Sequence, residues 1–138
     1  MIEGIETEGG THGIDYESTR EAEDAALCDI TFRKCTVHGV RGVHGICVYA
    51  RNDLTAVSDL TVEDCEVYDC QCGSSESMVL NGNIDGFLIA GNRVHDNNNI
   101  GIDMIGFEGT AMHPDQDSEK NQHEADRVRN GICRDNNL

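Results

Sequence analysis

LTVEDCEV, residues 60–67, decides how this chain folds. Its frame is an apolar residue, two variable ones, a cysteine, one more variable residue and a closing valine. ITFRKCTV (30–37) has the same frame, as do FLIAGNRV (87–94) and GICRDNNL (131–138), where asparagine replaces the cysteine. Self-similarity of this kind is the signature of a repeat architecture, in which each copy packs on the next.

A second element follows each of the first three copies. VHGICV (43–48) and IGIDM (100–104) share the form G-I-x-apolar, and SMVL (77–80) is a weaker version. GIDY (13–16) matches the same element of an earlier circuit, whose first half falls on the poorly matching residues 2–7. The copies start at 30, 60, 87 and 131, and solenoids tolerate such uneven spacing because insertions leave the coil as loops. Two insertions are expected, at 17–27 and 107–124. The first is acidic and Ala-rich, and Ser18 with Glu21 has capping-box spacing, so a short helix is expected there. The second carries the single proline, Pro114, and is expected to be a loop.

Charge provides a test of the alignment. In stacked parallel strands, aligned residues of neighbouring circuits lie ~4.8 Å apart. The apolar alignment then sets Arg33 beside Glu63, Lys34 beside Asp64 and Glu66 beside Arg93, three complementary pairs. Cys35, Cys65, Asn92 and Asn136 fall in one column. Stacked asparagines can bond each other and the turn backbone, and small thiols fill the same slot as apolar plugs. His38, Tyr68 and His95 form a further column, expected to be a stack of rings.

Composition bounds the function. The chain has 138 residues, 15 glycines, one proline and no tryptophan, which fits short strands and tight turns in one domain spanning 1–138. Its formal net charge of −16 disfavours nucleic acid, and an anionic polysaccharide would also be repelled unless a cation bridged it. No apolar run is long enough to span a bilayer. The seven cysteines include Cys70-Gln71-Cys72, without a second pair at zinc-finger spacing. Neither cysteine pairing nor oligomeric state is legible.

The repeated V-x-x-C-x-V and I-x-x-N-x-V segments, with their G-I-x-apolar partners, resemble the right-handed parallel β-helix of pectate-lyase-like proteins. The resemblance implies an all-β coil of about four turns that belongs to a longer polypeptide, secreted or at the cell surface. It implies a carbohydrate-active protein, a polysaccharide lyase or glycoside hydrolase acting on an acidic, uronate-containing polysaccharide. A non-catalytic adhesin, structural or phage-fibre-like module, or the scaffold part of a larger enzyme, stands as the alternative, since one fold hosts many functions.

Within that frame several residues carry candidate chemistry. Asp103 lies between Ile102 and Met104, both expected to face inward, so its carboxylate is expected to point out of the coil, where enzymes resembling this fold bind substrate. Its column holds Asp15, Cys47 and Val79. Asp15 is three circuits away, ~14 Å, too far to share an ion with it. Partners for Asp103 are expected from its own circuit or the following loop: Glu108, Asp115 and Asp117, with Glu108 the one singled out. Lys120, between His113 and His123, is a candidate base, and Arg127 and Arg129 are others. Asp69 and Asp96 share an offset one circuit apart, so a calcium ion between them would relieve their repulsion. His95 and Arg93 are candidate substrate-binding residues beside Asp96. Asn97–Asn99 have a simpler account as turn residues, because asparagine tolerates the left-handed conformation.

Overall fold

The computed structural model describes residues 1–19, 27–112 and 124–138. Fourteen strands and no helix occur among them. The first circuit comprises β1 (Ile2–Glu3), β2 (Glu6–Glu8) and β3 (His12–Glu17). The second comprises β4 (Leu27–Cys28), β5 (Thr31–Arg33), β6 (Thr36–His38) and β7 (His44–Ala50). β8 (Val57–Glu63), β9 (Glu66–Tyr68) and β10 (Met78–Gly82) form the third; β11 (Ile84–Ala90), β12 (Arg93–His95) and β13 (Ile102–Ile105) form the fourth. β14 (Val128–Arg134) begins another.

Every pairing between these strands is parallel. One sheet runs β1-β5-β8-β11-β14, with β4 also on β8; a second runs β2-β6-β9-β12; a third runs β3-β7-β10-β13. The chain therefore visits the three sheets in the same order on each circuit, a path compatible with a parallel β-helix or a similar solenoid. The apolar side chains at alternate strand positions turn into the space between the sheets. Phe32, Val37, Ile46, Leu60, Val62, Val67, Leu80 and Ile89 fill one continuous core. Each contributes on the order of 1.5–3 kcal/mol by leaving water.

The register is the one the repeats specify. Phe87 faces both Leu60 and Gly131 across the first sheet, and Thr31 faces Thr61. The Cys/Asn column is a ladder. The Asn92 amide donates to Val62 O at 3.0 Å and to Asn136 Oδ1 at 2.9 Å. Asn92 Oδ1 accepts from Cys65 N–H at 2.9 Å, so one side chain ties three circuits together. Cys35 and Cys65 occupy the same slot, buried, with free thiols. Burial pushes the Cys65 thiol up to about 11. The residue before each slot, Lys34, Asp64, Gly91 or Asp135, has positive φ, which turns the chain from the first sheet to the second. Asn97 and Asn98 repeat the device: their carbonyl oxygens accept from Cys70 N–H (2.8 Å) and Cys72 N–H (2.6 Å). The expected turn residues thus also brace the preceding circuit.

Arg33–Glu63 (3.1 Å) and Arg93–Glu66 (2.8 Å) form as the charges require. The third expected pair does not form between its two members. Lys34 reaches back to Glu3 at 3.7 Å. Asp64 leans forward over Gly91, where an added Cβ would meet its Oδ1 at 2.6 Å. The left-handed corner sends the two side chains in opposite directions along the coil. Ser18, expected as a helix cap, makes a contact to the next circuit. Its hydroxyl, buried, accepts from Arg51 N–H at 2.8 Å in the next circuit. The helix expected within 17–27 falls mostly on residues 20–26, outside the described residues, as does most of the loop at 107–124.

Candidate functional site

The third sheet sets Asp15, Cys47, Val79 and Asp103 side by side, one from each circuit. The alternation of the strands turns this column away from the core, as expected. The expectation of an open strand face holds only at its ends. Cys47 and Val79 are 0% exposed, and His44 is 2% exposed. Met104 is in register with the core residue Leu80, as its expected inward direction requires, yet is 40% exposed.

The segment after β13 packs on the same sheet. Asp126, fully buried, accepts backbone N–H bonds from Gly109 (2.6 Å) and Ala111 (2.8 Å). That clamp folds residues 107–112 back against β10, where Thr110 Cγ2 lies 2.9 Å from the place a Cβ on Gly82 would take. Glu108 is carried along, and its Oε2 accepts from the Asn81 amide at 3.3 Å. Val79 is the register partner of Asp103 and Asn81 that of Ile105, so Asp103 and Glu108 come to the same wall. Asp103 Oδ1 accepts from Met104 N–H at 2.8 Å. The third residue proposed with them, Lys120, lies outside the described residues.

The same wall carries groups that the sequence reading did not single out. His44 Nδ1 lies 3.3 Å from Glu76 O and 3.4 Å from its carboxylate, and His44 Nε2 lies 2.9 Å from the Tyr49 hydroxyl. A backbone carbonyl only accepts, so Nδ1 carries the proton and Nε2 accepts from the Tyr49 O–H. Burial holds His44 below the ordinary histidine value and pushes Tyr49 up to about 12. At neutral pH the pair is therefore a neutral imidazole and a protonated phenol. Arg51 lies 5.0 Å over the Tyr49 ring and binds Glu17 through two bonds. On the same strand as Tyr49, Cys47 Sγ donates to Asp15 Oδ1 of the preceding circuit at 3.3 Å.

The second sheet holds the other candidates. His38, Tyr68 and His95 stack with ring centroids 5.0 and 5.5 Å apart and planes within 10°. Their faces are used on one another, as expected of a solenoid ladder, leaving edges for solvent. His95 Nδ1 bonds Asp96 at 2.8 Å and Nε2 bonds Glu66 at 2.9 Å; both partners raise its pKa, Glu66 foremost. Glu66 also binds Arg93. Asp69 takes two guanidinium bonds from Arg41, at 3.1 and 3.2 Å. The proposed calcium partners Asp69 and Asp96 thus each hold a different cation or proton donor. A groove of about 230 Å³ runs past His95, Asp96 and Asn97.

His44 and its neighbour His12 had a signal in the sequence. Both precede G-I, in THGID (11–15) and VHGIC (43–47), and both fall in one column of the third sheet. Tyr49 and Asp126 had none: strand spacing alone does not bring Tyr49 to His44, five residues earlier on β7, and Asp126 acts on the separate segment 109–111.

The chain is similar to the uncharacterized protein YwoF of Bacillus subtilis (strain 168), with 56% identity over 70 residues. That match covers 51% of this chain and 13% of the length of YwoF. No family model matches the chain, and no solved structure matches it.

Proposed function

We propose that the chain is a segment of a right-handed parallel β-helix of the pectate-lyase-like kind, of about four turns. It is carbohydrate-active, secreted or at the cell surface, and cleaves an acidic polysaccharide laid across the outer wall of the third sheet. The observation that supports this reading is the convergence on that wall of Asp103, Glu108 and the His44–Tyr49 pair. A uronate lyase needs a base beside the sugar carboxylate and an acid for the leaving oxygen. Tyr49 bonded to an unprotonated His44 nitrogen offers a proton relay: the phenol gives its proton to His44 as its oxygen takes one from substrate. Asp103 and Glu108 serve the hydrolase form of the reaction as acid and base. Lys120 is a further base for the lyase form, and Arg93 with His95 binds sugar on the neighbouring sheet. Calcium at Asp69 and Asp96 bridges the anionic polymer to an anionic protein; to bind there it competes with Arg41 for Asp69.

A specific observation favours a second reading, a non-catalytic module or scaffold. Every arginine among the described residues lies within ion-pair distance of a carboxylate. None is left uncommitted to clamp a uronate. Incubating the whole protein with uronate polymers, with and without calcium, separates the readings. New near-ultraviolet absorbance marks an unsaturated lyase product, and new reducing ends without it mark hydrolysis. Loss of either in Tyr49→Phe or Asp103→Ala supports the wall as the site. No product under any condition removes the catalytic reading.

A further inference from the structure

We infer that His12, Asp15 and Cys47 form a binding site for a borderline-soft divalent cation of the zinc class. The three offer one imidazole nitrogen, one carboxylate oxygen and one sulfur, all within 4.8 Å of one another. In tetrahedral zinc, bond lengths of 2.0–2.3 Å put neighbouring ligand atoms about 3.3–3.8 Å apart. Cys47 Sγ and Asp15 Oδ1 are already 3.3 Å apart. His12 is exposed, so turning its ring closes the remaining gap without disturbing the core.

The fold builds this set from two circuits. His12 and Asp15 sit on β3, and Cys47 on β7 is the register partner of Asp15. Cys47 is fully buried, and its thiol donates to the Asp15 carboxylate, which is exposed. A buried sulfur directly beside a carboxylate is a poor arrangement for two anions. It becomes a good one when a divalent charge lies between them. Sulfur and imidazole select zinc-class ions over calcium, whose ligands are oxygens. On binding, the S–H bond breaks, the proton passes to buffer and the sulfur–metal bond forms; no oxidation state changes. Three protein ligands leave a fourth position for water or a ligand hydroxyl. His44 is not that fourth ligand in this arrangement, since Tyr49 and Glu76 hold both its nitrogens.

The test is a cobalt(II) titration of the whole protein under reducing conditions, with thiolate-to-cobalt charge transfer in the near ultraviolet as the readout. The expected result is a one-equivalent band, discharged by zinc, and affinity that rises with pH. Cys47→Ser abolishes the band. His12→Ala and Asp15→Asn, both at exposed side chains, weaken binding at least ~10-fold, on the scale of lost ligand support. Cys28→Ser and Cys133→Ser, at the exposed thiols, leave it unchanged. Absence of the band, its survival in Cys47→Ser, or its indifference to both His12→Ala and Asp15→Asn overturns the site. If Cys47→Ser does not fold, the two exposed variants decide alone. No polysaccharide enters the titration, so its failure and that of the glycan reading are separate events.

Discussion

Two columns in this molecule are built alike and behave differently. Cys35, Cys65, Asn92 and Asn136 stack at a corner; Asp15, Cys47, Val79 and Asp103 stack on the third sheet. Both are four deep, one residue per circuit, and both mix cysteine with polar side chains. The corner column faces inward, and its amides bond backbone groups of adjacent circuits. The sheet column faces outward, and its polar groups bond each other or their own strand. A stacked position spent on backbone is structure. A stacked position that faces outward, with polar groups that bond no backbone of a neighbouring circuit, is where protons, metals or substrates can be exchanged.

The largest expected effect separates the columns by stability. Asn92→Ala leaves the buried Cys65 N–H and Val62 C=O without their partner and costs about 3 kcal/mol in denaturant unfolding. Asp103→Ala costs less than about 0.5 kcal/mol. Equal losses would erase the distinction. Next is Asp126→Asn, which removes a charged acceptor from two backbone N–H groups and costs about 2 kcal/mol. It also frees Glu108 from Asn81, so amide exchange should rise at Gly109 and Ala111 while the corner column stays protected.

A pH titration sharpens the contrast at smaller amplitude. His44 has a folded pKa lowered by burial, so it binds its proton less readily than in the unfolded chain. Its contribution to stability is whole above the ordinary value near 6.5 and is lost as pH falls through the region below it. His95 is raised by Glu66 and Asp96, so its contribution is whole below that value and is lost as pH rises through its folded pKa. Imidazole resonances followed by NMR should give His95 the higher midpoint; the reverse order would mean that burial and ion pairing have been assigned to the wrong rings. The smallest effect belongs to the outer ladder of charges. Arg93→Ala should cost below about 1 kcal/mol, shrinking with salt, because its pair with Glu66 is exposed.

The fold was largely legible because it repeats. A frame seen once is a weak signal, but four copies put Leu60, Phe87 and Gly131 on one line, and charge pairs at Arg33–Glu63 and Arg93–Glu66 checked the register independently. The candidate site was legible only in part. Asp103 could be placed on a wall because strand alternation fixes direction. Glu108 could be put near it, although what holds it there, the Asp126 clamp, could not be foreseen.

The amino-acid sequence by itself determined the all-strand circuit, the register and the ring stack of His38, Tyr68 and His95. Those follow from periodic apolar and turn residues, whose preferences act locally and add up with each repeat. Only the tertiary structure decided that Lys34 meets Glu3 instead of Asp64, that Cys47 and Val79 are closed from water, and that His44 meets Glu76 of the next circuit. Such outcomes depend on which way a corner throws a side chain and on what a distant loop covers. No local pattern carries that information, because the partners are separated in sequence and meet only when the circuits stack.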